Sequence, residues 1–244
     1  MKRFALIGHP VAGSLSPRLF SAAYDGRYPY DLVDDPSFEV CWERFLSHYD
    51  GINVTAPFKM DAFREVDVRS ETALLSGAVN LVVRENGLLR GYNTDVDGVV
   101  RSVRECGIPV SRALVVGAGG AGRAAVTAAR ILGCEVIVAN RTFAKAETLA
   151  KATGALAIPL PEIASAGADL VLYTLPAALP EMPDWHDAVV LEANYKTPCL
   201  PGRPCRLYLS GHRWLLHQAV AGYALFTGEE PDTEKMAEMI TLSL

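Results

Sequence analysis

Apolar residues follow two rhythms along this chain. Short continuous apolar runs alternate with stretches in which apolar positions recur every three or four residues. The first pattern predicts buried strands and the second amphipathic helices. "RFALIG" (Arg3 to Gly8) predicts a strand that ends in "HPVAGSLSP", a polar loop rich in Gly, Ser and Pro. "SPRLFSAAY" predicts a helix with Ser16 as its cap and Pro17 in its first turn. "YPYDLVD" is a second strand, "SFEVCWERFLSHY" a helix, "GINVT" a third strand and "PFKMDAFREV" a helix opened by Pro57. "AVNLVVRENGLLRGYNTD" breaks the rhythm: two β-rich runs flank Glu85-Asn86-Gly87, a hairpin signal. Helical spacing resumes from about Asp95 to Cys106.

A second series follows. "ALVVGAGGAGRAAVTAARILG" predicts strand, glycine turn and helix. "EVIVANRT" is the next strand, "FAKAETLAKA" a helix, and "ADLVLYTLP" and "AVVLEANY" are further strands, with "CRLYLS" as one more. "WLLHQAVAGYALFTG" and "DTEKMAEMITLSL" predict two closing helices. Strands alternating with helices imply α/β layers. There are no repeats or low-complexity segments.

Composition narrows the class. A length of 244 residues suits one large or two modest domains, and 50% hydrophobic residues can build a substantial core. The net charge of -5, without a basic or acidic block, argues against nucleic acid as a partner. The five cysteines are scattered with no C-x-x-C pair, which favours free thiols in a reducing cytosol. The five histidines show no metal-ligand spacing, so no metal is expected. The apolar run at the N-terminus is too short for a signal peptide, and no stretch reaches a membrane span. A soluble cytoplasmic protein is the expectation.

The chemistry starts at "VVGAGGAGRAA". A strand before it and a helix after it make it more than a lone glycine pattern. Gly117 and Gly119 would let the backbone turn and approach a pyrophosphate; Ala118, Gly120 and Ala121 complete the turn. The spacing is read as G-x-G-G-x-x-x-A, with Ala124 or Ala125 where the helix packs closely. The following strand ends in Asn140, Arg141 and Thr142, with Lys145 one helical turn on. An NAD site usually places an acid there; two cations suit the 2'-phosphate of NADP. In the first half, Lys59 lies where a helix begins, a position of partial positive charge that disfavours lysine unless its ammonium has a task.

Four stretches outside the glycine turn, "GHPVAGSLSP", "GINVTAPFK", "GAVNLV…GYNTD" and "ANYKTP", resemble the shikimate dehydrogenase family, as does "GHRWLLHQAVAGYALFTG" in the tail. The resemblance runs in family order from about Leu6 to Gly228. It implies an NADP-dependent oxidoreductase that reduces 3-dehydroshikimate to shikimate in aromatic amino acid synthesis. It implies that Ser14 and Ser16 bind the substrate carboxylate, and that Asn53 and Thr55 frame the pocket. Lys59 would touch the reacting oxygen beside Asp95, and Asn80 and Asp95 would bind ring hydroxyls. Tyr195 and Gln218 would close the substrate from the other side, and Gly211 would lie at the cofactor.

Taken singly, Lys59 would read as a solvated lysine, Ser16 as a cap, and Asn80 and Asp95 as turn or cap residues. Tyr195 could be core and Gln218 an exposed helix residue. Co-occurrence at the ends of successive strands is what favours a site.

The chain also departs from the family pattern. His9 and Gly13 replace the usual residues of the first loop, "YTLPAALP" replaces an "NATPxG"-like segment, "YKTPCL" is compressed, and "PGRPCRLYLSG" stands where a helix is usual. The expected architecture is a substrate domain over residues 1–97, a Rossmann-type NADP domain over 98–210, and a tail, 211–244, returning to the first. The site would lie in the cleft between them. Monomer and homodimer both remain open, as do two rival functions. These are a quinate/shikimate dehydrogenase with relaxed cofactor use, and a non-catalytic sensor of NADP or a shikimate-like ligand.

Overall fold

The computed structural model describes residues 1–242. The chain forms two compact units, Met1–Thr94 together with the segment from Leu216 onward, and Asp95–Leu215. Both divisions fall inside a helix, a few residues from the 97/98 and 210/211 junctions expected from the sequence.

The first unit is built on a mixed sheet. Its strands are β1 (Phe4–Gly8), β2 (Tyr30–Asp34), β3 (Gly51–Val54), β4 (Val68–Arg69), β5 (Leu81–Glu85) and β6 (Leu88–Tyr92), in the order β2-β1-β3-β5-β6-β4. β1 pairs parallel with β2 and β3, whereas β5 is antiparallel to β3 and β6. The β5–β6 hairpin turns through Asn86 (φ 51°) and Gly87 (φ 79°), the left-handed pair that a two-residue hairpin turn requires.

Alternate residues of β1 feed two cores. Ala5 and Ile7 pack with Trp42 and Phe45 of α2 (Phe38–His48, following α1, Ser16–Ala23). Phe4 faces an aromatic cluster, stacked on Phe226 at 4.8 Å and edge-on to Phe20 at 5.3 Å.

Two helix starts differ from expectation. α1 is capped at Leu15 without a side-chain bond, and Ser16 is already helical, its hydroxyl engaged with Ser14 instead of capping the helix. α3 begins at Lys59 (Lys59–Glu65), after a turn in which the Phe58 N–H donates to Thr55 O, so Pro57 precedes the helix. The short α4 (Glu71–Ser76) and β4 carry too little periodicity to predict from sequence.

The second unit opens with α5 (Thr94–Arg104) and contains a fully parallel sheet. The strands are β7 (Arg112–Val116), β8 (Glu135–Ala139), β9 (Leu156–Ile158), β10 (Leu170–Tyr173), β11 (Trp185–Glu192) and β12 (Cys205–Leu209), in the order β12-β11-β10-β7-β8-β9. This is the doubly wound order, with its reversal point between β7 and β10.

Alternation again divides the faces. Ala113, Val115, Leu170 and Leu172 pack under α5, α6 (Gly120–Ile131) and α7 (Phe143–Thr153). Leu114, Val116, Val171 and Tyr173 form the other face, covered not by helices but by Ile163, Leu179, Met182 and Leu200 from loops and a short 3-10 turn. The shortening read from "PGRPCRLYLSG" therefore appears as a turn leading directly into β12.

The tail forms α8 (Gly211–Thr227) and α9 (Thr233–Thr241). Within the first unit, Tyr223 of α8 donates from its hydroxyl to Ser16 O and the Asp232 N–H donates to Ala23 O. The predicted closing helix extends to Leu244; Ser243 and Leu244 lie outside the described residues.

Candidate functional site

In the first unit, register collects the polar candidates at one edge of the sheet. Ile7 is level with Val54, Asn53 with Leu81, and Leu81 with Tyr92. The loop after β1, Thr55 after β3, Asn80 before β5 and Thr94 after β6 therefore emerge together, at the strand ends where α/β proteins bind ligands.

Asn80 sits at the centre. Its Oδ1 accepts the Thr94 N–H at 2.8 Å, and its Nδ2 donates to Thr94 Oγ1 at 3.0 Å and to Gln218 Oε1 at 3.3 Å. The first of these satisfies a backbone N–H that opens α5, which would otherwise lack a helical partner. Asp95, next in the chain and 8% exposed, occupies the first turn of that helix, where a carboxylate suits the dipole. The Thr94 hydroxyl lies 3.3 Å from both Asn80 Oδ1 and Gln218 Oε1. Gln218 is 9% exposed, so the network binds α8 to strand ends far away in sequence.

Asn53 is held on both sides: the Tyr30 hydroxyl donates to its Oδ1 at 2.7 Å, and its Nδ2 donates to Asn80 O at 3.3 Å. Ser14 and Ser16 form a pair, with Ser14 Oγ donating to Ser16 Oγ at 3.1 Å and accepting the Ser16 N–H at 3.3 Å. Thr55 is half-buried, its methyl packed so tightly over Gly8 that any side chain there would collide. Lys59 is half-buried at the first position of α3, and its carbonyl accepts the Val79 N–H at 2.9 Å. Two further polar members are Thr94, which lies inside "GYNTD" but has no role in the sequence reading, and Tyr30, whose signal is a partner distant in sequence.

In the second unit the glycine turn lies between β7 and α6, at the reversal point of the sheet. Gly117 has φ 119°, and a Cβ there would collide with Thr174 Oγ1, which donates to Val116 O at 3.0 Å. The close helix contact predicted at Ala124 or Ala125 falls instead at Gly122, where a Cβ would collide with Gly117 O. Gly117, Gly119 and Gly122 thus make the full G-x-G-x-x-G spacing, a signal already present in the letters. A Cβ at Gly119 would meet nothing within 4 Å, so this backbone borders open space.

Asn140 joins two loops. Its Oδ1 accepts the Ala118 N–H at 3.3 Å and its Nδ2 donates to Thr142 O at 3.0 Å. Arg141, Thr142 and Lys145 are exposed around the start of α7, which has no side-chain cap and no acid in its first turn. Neither does α6. Two uncapped helix starts and two exposed cations fit a dinucleotide carrying an extra phosphate.

Tyr195 follows β11, its ring 5.4 Å from that of His212. Its neighbour Asn194 donates to Pro176 O at 2.9 Å and to Thr197 O at 2.8 Å. With the Tyr173 hydroxyl on Ala177 O at 2.7 Å, this ties down the unusual "YTLPAALP" segment. Gly211 is required by packing, since a Cβ would press on Ala193 O at 2.7 Å.

Glu192, closing β11, is 0% exposed and escaped the sequence reading. Its Oε1 accepts the Cys199 N–H at 2.7 Å and the Cys199 thiol at 3.2 Å; its Oε2 accepts the Leu200 N–H at 3.2 Å and the Tyr208 hydroxyl at 2.9 Å. Burial first, and this carboxylate second, push the Cys199 thiol up to about 11.

A doubly wound parallel sheet bearing a glycine turn, in one chain with a mixed sheet bearing a polar strand-end cluster, is the architecture of a two-unit dinucleotide-binding protein. Residues 6–82 match the family model of the shikimate dehydrogenase substrate binding domain, and residues 102–178 that of shikimate / quinate 5-dehydrogenase. The NADP(+) shikimate dehydrogenase of Moorella thermoacetica is 34% identical over 271 residues, covering 97% of this chain and 91% of the relative. The crystal structure of shikimate 5-dehydrogenase from Thermus thermophilus, in complex with NADP(H) and shikimate, aligns with TM-score 0.86 and 33% identity over 100% of both chains. Quinate dehydrogenase from Corynebacterium glutamicum in complex with NAD aligns with TM-score 0.85 and 28% identity, over 100% of this chain and 99% of that one. The chain belongs to the shikimate dehydrogenase family. Among the described residues, no helix is long and apolar enough to cross a membrane.

Proposed function

We propose that this chain is an NADP-dependent shikimate dehydrogenase, interconverting 3-dehydroshikimate and shikimate in the cytoplasm, as a monomer or homodimer, for aromatic amino acid (chorismate) biosynthesis. One observation carries the reading. The strand-end cluster of Asn53, Asn80 and Gln218, with the Ser14–Ser16 pair, shares a chain with a glycine turn whose cofactor strand ends without an acid.

Gly117 to Ala121 and the start of α6 would hold the pyrophosphate, with Gly211 bordering the cofactor. Arg141 would clamp the 2'-phosphate with Lys145 helping; Asn140 keeps the two phosphate-facing loops in register through Ala118 and Thr142. When held there in its reduced form, the dinucleotide would provide the hydride needed at the carbonyl carbon. The chain must then supply a proton at oxygen. Lys59 would give that proton and take it back in reverse, with Asp95 balancing its charge and binding a ring hydroxyl. Ser14 and Ser16 would hold the substrate carboxylate through their hydroxyls. Asn53, Thr55 and Asn80 would frame the ring, and Tyr195 and Gln218 would close over it. Because their mutual hydrogen bonds already fix the amides, the pocket would bind substrate without ordering them anew.

The test mixes purified protein with shikimate and follows nicotinamide absorbance in parallel with NADP and with NAD, using quinate as the control substrate. Fast reduction of NADP with shikimate alone is the expected result. Silence in every mixture, from folded protein that still binds NADP, would overturn catalysis in favour of a binding protein.

A further inference from the structure

We propose that Asp34 is a positioning residue for the two serines assigned to the substrate carboxylate, acting through the loop that follows β1. This rests on the reading of Ser14 and Ser16 given above. Asp34 closes β2, the strand beside β1, with Gly8 and Asp34 level in the register. Its Oδ2 accepts the backbone N–H groups of Val11 at 2.9 Å and Ala12 at 3.3 Å, and its Oδ1 pairs with His9 Nδ1 at 2.8 Å. The loop is thus held at three points by one side chain.

The hold continues to the serines. Val11 O accepts the Ser14 N–H at 3.1 Å, and Ser14 Oγ then accepts the Ser16 N–H and donates to Ser16 Oγ. An unbroken series of hydrogen bonds therefore runs from Asp34 to both hydroxyls. The Val11 side chain is 1% exposed and anchors the near end. Gly13, with φ +73°, makes the turn between the anchored part and the serines. Ser14 has no helix or strand of its own to define its place; the turn on Val11 and the Ser14–Ser16 pair do so.

Both carboxylate oxygens accept, one from the two N–H groups and the other at His9. An asparagine could keep the two N–H groups on its oxygen and donate its NH2 to His9 Nδ1 in the other tautomer, so the side chain has to be removed to break all three bonds. The bonds hold the Asp34 carboxyl below its usual range, the Val11 N–H contributing most and the His9 side chain next. His9 and Gly13 are also the positions at which the first loop departs from the family pattern. The Asp34–His9 pair is thus one of the contacts that set the loop.

The experiment is steady-state kinetics on Asp34→Ala, Ser14→Ala and the double variant, varying shikimate and NADP separately. Asp34→Ala is expected to raise KM for shikimate roughly tenfold, with kcat within about twofold and KM for NADP unchanged. In the Ser14→Ala background the same substitution should have little further effect, because the two act through one interaction. An unchanged KM for shikimate in Asp34→Ala, or an equal fold-change with and without Ser14, overturns the proposal while leaving the serine assignment standing. Ser14→Ala with an unchanged KM overturns that assignment and this inference with it. If Asp34→Ala fails to fold, His9→Ala removes only one of the three bonds. It should raise the same KM about twofold to threefold, and a wild-type KM there overturns the proposal.

Discussion

Replacing Glu192 by glutamine leaves the shape of a buried side chain and removes one of its two acceptor groups. Each carboxylate oxygen takes one backbone N–H, Cys199 at Oε1 and Leu200 at Oε2, together with one side-chain donor. The new NH2 must face one of these pairs. The Tyr208 hydroxyl and the Cys199 thiol can turn and accept; a backbone N–H cannot. Whichever way the amide settles, one N–H of the "TPCL" segment is stranded, at a cost of about 1–3 kcal/mol. Relief from burying a charge offsets part of this, but a carboxylate with four donors has most of its desolvation already repaid by hydrogen bonds.

With a urea m-value of about 2 kcal/mol/M, the midpoint of the second unit should fall by roughly 0.5–1.5 M. Trp185 and Trp214 report on that unit and Trp42 on the first, so each transition is fitted separately. Amide exchange at Leu200 gives the local readout. A third is chemical: without the carboxylate's charge the Cys199 thiol loses one cause of its raised pKa, so its alkylation near pH 8.5 should accelerate. An unchanged midpoint together with unchanged exchange at Leu200 would refute the reasoning.

Other substitutions probe the proposed chemistry. Arg141→Ala should raise KM for NADP on the order of tenfold to a hundredfold and leave the reaction with NAD nearly unchanged; equal losses with both would contradict the phosphate clamp. Lys59→Ala should lower kcat by about two to four orders of magnitude while NADP still binds, so normal turnover by folded protein would sink its role in proton transfer. Acid stability should reflect Asp169. Burial raises its pKa, but the Ser111 side chain and the Arg112 and Ser111 N–H groups outweigh this and hold it low. A lowered folded pKa means its stabilisation is complete above about pH 4 and is lost as pH falls through the folded value. Melting temperatures between about pH 5 and 3 should fall less steeply for Asp169→Asn than for the wild type; equal slopes would discount the site.

Much of the architecture follows from local letters. "ALVV", "VIVA", "LVLY" and "AVVL" are continuously apolar because both faces of a parallel sheet are buried, and such runs announce themselves. Asn86-Gly87 specifies its turn through backbone conformations few other pairs adopt. The glycine spacing, the missing acid after β8, and the motif residues Ser14, Ser16, Lys59, Asn80 and Gln218 are equally conspicuous. β4 and β9 are not, being only Val68–Arg69 and Leu156–Ile158: strands this short exist because a neighbour pairs with them.

What only the tertiary structure decided is which polar groups satisfy one another. Asn80 meets Gln218 across 138 residues, Asp34 meets the first loop across more than 20, and Glu192 turns from an acid at the end of an apolar strand into the acceptor for a whole loop. The sequence by itself determined where the longer strands, helices and turns would form, because those depend on burial and on backbone freedom within a few residues. The partners of its buried polar side chains had to await the fold, since hydrogen bonds need atoms within about 3 Å, and sheet register, not sequence distance, brings them there.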